Sequence, residues 1–491
     1  MDKKQFPNVM NIVLITILVV FFISVFVIER VIEKKLTNYL DDSILEGEFI
    51  PDYTLVTNQL TLNYRDRLRI NNPKWGELKV VNARLDVSGF NYFKFQKERS
   101  IDIGTVAIRG DSVELELRSD SRDTSVRSTL FNEIDRVEIL SSHVGVTTDS
   151  FSFRIDSADM GIAGIRNQGD TILYFALDYL EGRQLDVTCE HTYQINAQRI
   201  STSRINDELN FYHLSYTEEP RNKANRVIIG AASEMATIEG VFEDRFVHDR
   251  LPNHLHITGL NLEIDLVDER PFCDGHQPCL KPVITEVLHQ FPFRDSITAT
   301  GQLKFRYFEF GELQSTLFVN HFYTILTRDL EDSIKVVDAD VRAQVNNGID
   351  LVLEGVFRED DHFNYKMCSA PFSMITLNPF IPSQSGYKVM VEKGECSGLC
   401  LIVDGHERTS TAVFNIKYED LKLDLTAREG IGDDLLRTAM PVLINKNADS
   451  NGEIVHEYTL PPHRPFFHQM GQHVNHGFKE AVVKRWIRKK E

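Results

Sequence analysis

Residues 110–119, GDSVELELRS, alternate apolar and charged side chains: Val113, Leu115 and Leu117 against Glu114, Glu116 and Arg118. Successive side chains of a strand point to opposite faces, so this stretch carries one oily side and one wet side. The same grammar returns in HLHITGLNLEIDLVD (254–268), GQLKFRYFEF (301–310), NNGIDLVLEGVF (346–357) and VFNIKYEDLKLDL (413–425). Leu255 and Ile257 share a face. Leu260, Leu262, Ile264 and Leu266 stay on that face only if the strand slips by one residue at Gly259, which is how a β-bulge looks in a sequence. A second slip, at Glu419–Asp420, keeps Leu421, Leu423 and Leu425 in phase with Phe414, Ile416 and Tyr418. Helical spacing between residues 50 and 430 is confined to Thr129–Ile134 and KPVITEVLHQF (281–291). The predicted fold is mainly β, with an antiparallel body over residues 47–460 that no Pro-, Gly- or Ser-rich linker divides.

Those oily faces need cover. Each strand offers about three large apolar side chains, and burying each is worth roughly 1.5–3 kcal/mol. Ten bare strands would forgo on the order of 50 kcal/mol, against a net stability of about 5–15 kcal/mol. Two arrangements provide cover. A second sheet makes a sandwich or a barrel, whereas an elongated, curled sheet makes a trough that hydrocarbon can fill. Alternation alone does not separate them.

The two ends depart from this pattern. After a short tail (1–8), VMNIVLITILVVFFISVFVI (9–28) is uncharged over 20 residues, with Asn11, Thr16 and Ser24 as its polar members. That is the length of a helix crossing a hydrocarbon core of about 30 Å, and no small-residue cleavage site follows it. It reads as an uncleaved transmembrane anchor. Lys3 and Lys4 before it and Arg30, Lys34 and Lys35 after it leave the orientation open, and the large folded remainder fits an exported body. Residues 29–46 carry Val31, Ile32, Leu36, Tyr39, Leu40 and Ile44 at helical spacing, an amphipathic helix. Residues 461–491 form a second one, with Phe467, Met470, Val474, Phe478, Ala481, Val482 and Trp486 on one stripe. Lys484, Arg485, Arg488, Lys489 and Lys490 in its last turns complement the helix dipole. With Trp486, they also suit an anionic membrane surface.

Candidate chemistry is sparse. The net charge of −18 argues against nucleic acid as a partner, because phosphate recruits Lys and Arg. Cys273, His276 and Cys279 in PFCDGHQPC, with Cys396 and Cys400 in GECSGLC, have soft-metal character, but the C-x5-C and C-x3-C spacings are not those of zinc knuckles. Cys396 and Cys400 lie about 13 Å apart along a strand. A loop disulfide between Cys273 and Cys279, or free thiols, is the plainer expectation. Of the five histidines in the last segment, His456, His463, His468, His473 and His476, only His473 and His476 share an i, i+3 face. They read as surface or capping residues. Ser112 of the GDS block opens a strand rather than a nucleophile turn, and REDD (358–361) reads as a solvated turn. No catalytic residue, metal or cofactor is expected.

The order of tail, span, amphipathic helix and the strands of LTLNYRDRLRINNPKWGELKVVNARLDVSGFNYFKFQKERSIDIGTVAIRGDSVELEL resembles the N-terminal module of AsmA-like envelope proteins. APFSMITLNPFIPSQSGYKVMVEKGECSGLCLIVDG, VFNIKYEDLKLDLTAREG and PFFHQMGQHVNHGFKEAVVKRW are similar to the closing strands and terminal helix of shorter members. The resemblance covers residues 1–118 and 370–490, and the Cys273–Cys279 loop departs from it. It implies a protein anchored in a bacterial inner membrane, with its β-body in the periplasm and no enzymatic step. It also implies phospholipid as the ligand, lipid transport as the role and outer-membrane homeostasis as the context. Val113, Leu115, Leu117, Leu262, Ile264, Leu421, Leu423 and Leu425 are then sample trough positions, and Trp486, Lys484, Arg485, Arg488 and Lys489 the membrane-surface group. The rivals are a scaffold with a closed β-sandwich core that binds another envelope protein, and an enzyme with its site in the Cys273–Cys279 loop.

Overall fold

The computed structural model describes residues 30, 34, 44–46, 49–54, 59–64, 67–72, 76–82, 84–89, 102–117, 133–148, 151–168, 171–189, 193–218, 227–241, 252–268, 293–309, 312–329, 336–346, 348–358, 360–380, 387–427, 445–448, 453–460 and 466–482. The expected anchor at 9–28 and the basic terminus from Lys484 onward lie outside these residues. So do Cys273 and Cys279. Among the described residues no helix is long and apolar enough to cross a membrane. The chain forms two compact units, 1–211 with 241–250, and 212–240 with 251–491. Each is mainly β and mostly antiparallel, and among the described residues neither ladder closes into a barrel.

The first unit holds β1 (Ile44–Glu46), β2 (Phe49–Thr54), β3 (Gln59–Tyr64), β4 (Arg67–Asn72), β5 (Gly76–Val81) and β6 (Arg84–Ser88). β7 (Asp102–Gly110), β8 (Ser112–Leu117), β9 (Glu133–Thr147), β10 (Phe151–Gln168), β11 (Thr171–Cys189) and β12 (Tyr193–Ser203) follow. Ile44–Glu46, the end of the segment expected to be helical, is a strand because it finds a partner in β4, with Ile44 opposite Ile70. Two short branches, β2–β3–β6–β7 and β1–β4–β5–β8, meet side by side on β9. The joins of β7 and β8 to β9 are parallel, and β9, β10, β11 and β12 then pair in antiparallel succession. Val80, Val113, Val144 and Ile155 stand opposite one another in successive strands, none more than 4% exposed. The next row, Leu78, Leu115, Val146, Phe153, Val187 and Ile195, runs through β5, β8, β9, β10, β11 and β12.

The strand β13 (Glu208–Glu218) falls across the division between the units. The second unit holds β14 (Val227–Glu239), β15 (His254–Asp268), β16 (Ser296–Glu309), β17 (Glu312–Asp329), β18 (Val336–Val345), β19 (Ile349–Arg358) and β20 (His362–Ser369). β21 (Phe372–Ser373), a 3-10 helix (Met374–Phe380), β22 (Tyr387–His406), β23 (Thr409–Ala427), β24 (Ile454–Thr459) and α1 (Phe466–Val482) complete it. β15 and β16 run parallel, and Cys273 and Cys279 lie between them in the sequence. At Gly259 (φ +63°), β15 advances three residues, from Ile257 to Leu260, while β16 advances two, from Ala299 to Gly301. This is the bulge expected there. At Asp420 (φ +56°), β23 advances from Glu419 to Lys422 while β22 moves from Glu395 to Lys393, and Tyr418 and Leu421 are both buried. A one-residue slip without such a bulge would send every following side chain to the other face.

Cys400 of β22 stands directly opposite Cys368 of β20 and is disulfide-bonded to it, with Cα atoms 4.2 Å apart. Cys396, four residues earlier on the same strand, is a free, buried thiol that burial pushes up to about 11. The bridge spans 32 residues. Replacing both partners with Ser is expected to cost roughly 3–4 kcal/mol in denaturant unfolding under non-reducing conditions. Peptide mapping should recover the Cys368–Cys400 pair with Cys396 unmodified; a Cys396 crosslink would contradict this register.

Candidate functional site

In the second unit the apolar side chains of successive strands line up across the ladder. One row runs Ala231, Leu262, Leu303, Val319, Val345 and Ile349, and the next runs Ile229, Ile264, Phe305 and Leu317. Their burial is graded. Val319, Val345 and Ile349 are buried, whereas Ile229, Leu262, Ile264 and Phe305 are only half-buried. The packed core reaches Leu303 and Leu317 and does not include Leu262 or Ile264. One face is thus filled at its β17–β24 end and partly open at β14–β16.

Two elements fill the closed end. The 3-10 helix packs against β17 and β22, with Met374 buried and Asn378 bonded to both backbone groups of Val391 (3.0 and 2.6 Å). The helix α1 lies on β23 and β24. Met470, Val474, Phe478, Ala481 and Val482, the stripe read from the sequence, pack on the core that includes Leu401, Phe414 and Tyr418. Tyr418 donates to the carbonyls of Asn445 and Ala481 (both 3.2 Å), while the Asn445 side chain and backbone N–H donate to the Ala481 and Val482 carbonyls (2.9 and 2.8 Å). The last carbonyls of α1 thereby gain partners outside the helix.

Beneath α1 sits a polar cluster. His473 is completely buried, and Ser410 and Gln469 nearly so. Gln469 Nε2 donates to Ser410 Oγ, Ser410 Oγ lies 2.7 Å from His473 Nε2, and His473 Nδ1 lies 2.9 Å from His456 Nδ1. The His456 ring stacks on His476 at 3.9 Å between centroids. Ser410 accepts from Gln469, and a single proton lies between His473 Nδ1 and His456 Nδ1, shared by the two rings. Burial holds His473 down to about 4, and burial followed by the charge of His476 lowers His456. Both rings are neutral at pH 7. His473 and His456 are therefore not surface or capping residues. The signal was present in the sequence: His473 lies three residues after Met470 and one before Val474, inside the apolar stripe.

The other expected positions separate. Val113 and Leu421 are buried core residues, Leu115 and Leu423 are half-buried, and Leu117 and Leu425 are paired in their ladders opposite Gly76 and Val389. Trp486, Lys484, Arg485, Arg488 and Lys489 lie outside the described residues. Of REDD, Asp360 and Asp361 lie between β19 and β20, and the Arg358 guanidinium, 3.0 Å away, holds Asp360 down to about 2. Among the described residues no cluster of His, Cys, Asp and Glu is arranged for a metal.

No protein-family model matches the chain, and no curated protein matches it. One solved structure that aligns with it is the crystal structure of Sex pheromone staph-cAM373 precursor, at 7% identity, over 54% of this chain and 76% of that one. The TM-score of 0.09 means that this likeness carries no argument.

Gly477 of α1 is buried against Phe414, and a Cβ there would lie 2.2–2.7 Å from the ring. Gly→Ala inside a helix normally stabilises by about 1 kcal/mol. Here the sign reverses: Gly477→Ala is expected to lower stability by roughly 1–3 kcal/mol in urea unfolding. A gain would show that the helix does not rest on Phe414.

Proposed function

We propose that this protein binds phospholipid acyl chains on the apolar face of its sheet and moves or holds them as a non-enzymatic component of a bacterial envelope. In this reading residues 9–28 anchor it in the inner membrane by a single span, the β-body stands in the periplasm, and its role is lipid transport supporting outer-membrane homeostasis. The elongated, curled trough belongs to this reading too. What supports it is the half-buried row of Ile229, Ile264 and Phe305 beside Leu262, an apolar face in register across three strands where the packed core stops. Fully burying such side chains is worth roughly 1.5–3 kcal/mol each, so a hydrocarbon chain laid along them would gain much of what the protein leaves unclaimed. No covalent chemistry and no cofactor enter this role.

Protein purified in mild detergent should carry phospholipid visible by native mass spectrometry. Changing Leu262 and Ile264 together to Asp should remove that lipid while the body stays folded, with one cooperative urea transition at a somewhat lower midpoint because both positions are half-buried. Lipid-free wild-type protein, or lipid retained by the double variant, would contradict the reading.

A second reading, the scaffold that docks another envelope protein, is favoured by one observation. Ile402, Val413 and Val455 form a row on the outer face, running out to β24, where Val455 is 57% exposed. Crosslinking through position 455 to a single envelope protein, with no lipid recovered, would select it.

A further inference from the structure

The polar cluster under α1 is built around a single shared proton. The 2.9 Å contact between the Nδ1 atoms of His456 and His473 needs one proton between them. With a proton on each, two N–H donors face each other in a buried site, and a charge is stranded there. The surroundings offer it little relief. Among the described residues, the titratable groups facing His473 are His456 and Tyr458 from β24 and His476 from its own helix, while β23 contributes Ser410. The charges acting on the His473 ring are those of His456 and His476, both of the wrong sign once protonated. Gln469 Oε1 is buried without a hydrogen-bond partner, so the network is already short of one bond. The far end of the helix is held differently, by the neutral hydrogen bonds from Tyr418 and Asn445 to the Ala481 and Val482 carbonyls.

We propose that the Ser410–His473–His456 contact is an acid-sensitive latch: a second proton between the two imidazoles releases the first three turns of α1 from β23 and β24, while the end of the helix stays tied to Tyr418 and Asn445. Release uncovers the polar row of Ser410 and His456 and the part of the β23–β24 face beneath Met470 and Val474, while Phe414 stays covered by Gly477 and Phe478. The latch does not depend on what that face binds.

Its pH window follows from the two states. Above pH 6.5 the ring is neutral whether the helix is docked or released, and the latch holds in full. As the pH falls from 6.5 towards 4, the released ring takes up a proton that the docked ring refuses, so docking weakens. Over that window the opening constant rises about tenfold per pH unit for one such histidine.

The test is hydrogen–deuterium exchange on the full chain from pH 7.5 to 4.5, corrected for the intrinsic rate, with β10 and β11 as internal reference. Protection of residues 466–476 should fall about tenfold per pH unit below 6.5, while residues 478–482 and the reference strands change little. In His473→Gln the fall across the same range should shrink to under about threefold. If that variant's helix is already unprotected at pH 7.5, His473→Phe, which keeps a ring in the buried site, is read in its place and should be equally flat. Level protection in the wild type, loss spread evenly to residue 482, or an undiminished slope in the non-titrating variant would each overturn the proposal.

Discussion

The structure depends on keeping one apolar face in phase through very long strands. A period of two leaves no tolerance: one unpaired residue inserted without a bulge would turn every following Leu and Ile to the wet side. β15 and β23 meet this with single left-handed residues, Gly259 and Asp420, at which one strand takes an extra step and its partner does not. Ser157 and Gln184 (φ +50° and +51°) sit at comparable register shifts between β10 and β11. Glycine reaches that conformation freely, and a short polar side chain such as Asp bears it at modest cost. Bulges also raise local twist, so the device that preserves phase also bends the strand.

What covers the face differs along the second unit. At β22–β24 the chain covers itself, with Leu401, Phe414 and Tyr418 beneath α1 and almost no exposed area left. That cover is held by two unlike bonds. Tyr418 and Asn445 tie down carbonyls that have no charge to gain, whereas His473 and His456 share a proton and so tie the docking of the helix to acidity. Toward β14–β16 the same face continues as half-buried Leu262, Ile264 and Phe305. The functional reading rests on that contrast within one ladder.

Local grammar was the legible part of the sequence. The strands, both bulges and the terminal helix with its stripe could be placed because alternation and helical spacing act over a few residues. Pairings between distant segments were not legible. The parallel joins of β7 and β8 to β9 and of β15 to β16, and the meeting of Cys368 with Cys400, depend on register between strands far apart in the chain. Helical spacing around Thr129–Ile134 gave way to β9 from Glu133 onward, where Ile134 finds Ile103 across a parallel pair. His473 sat in plain view on the stripe, but burial of an imidazole needs Ser410 and His456, and neither lies near it in sequence.

The most direct test of an apolar face that accepts hydrocarbon is photocrosslinking from a single position in membranes. Phe305 lies on the half-buried row beside Ile264, and Lys304 lies on the opposite side of the same strand. A benzoylphenylalanine at position 305 should form phospholipid adducts on irradiation, and one at position 304 should not. Adducts only with protein at 305, or equal lipid labelling at the two positions, would contradict the account.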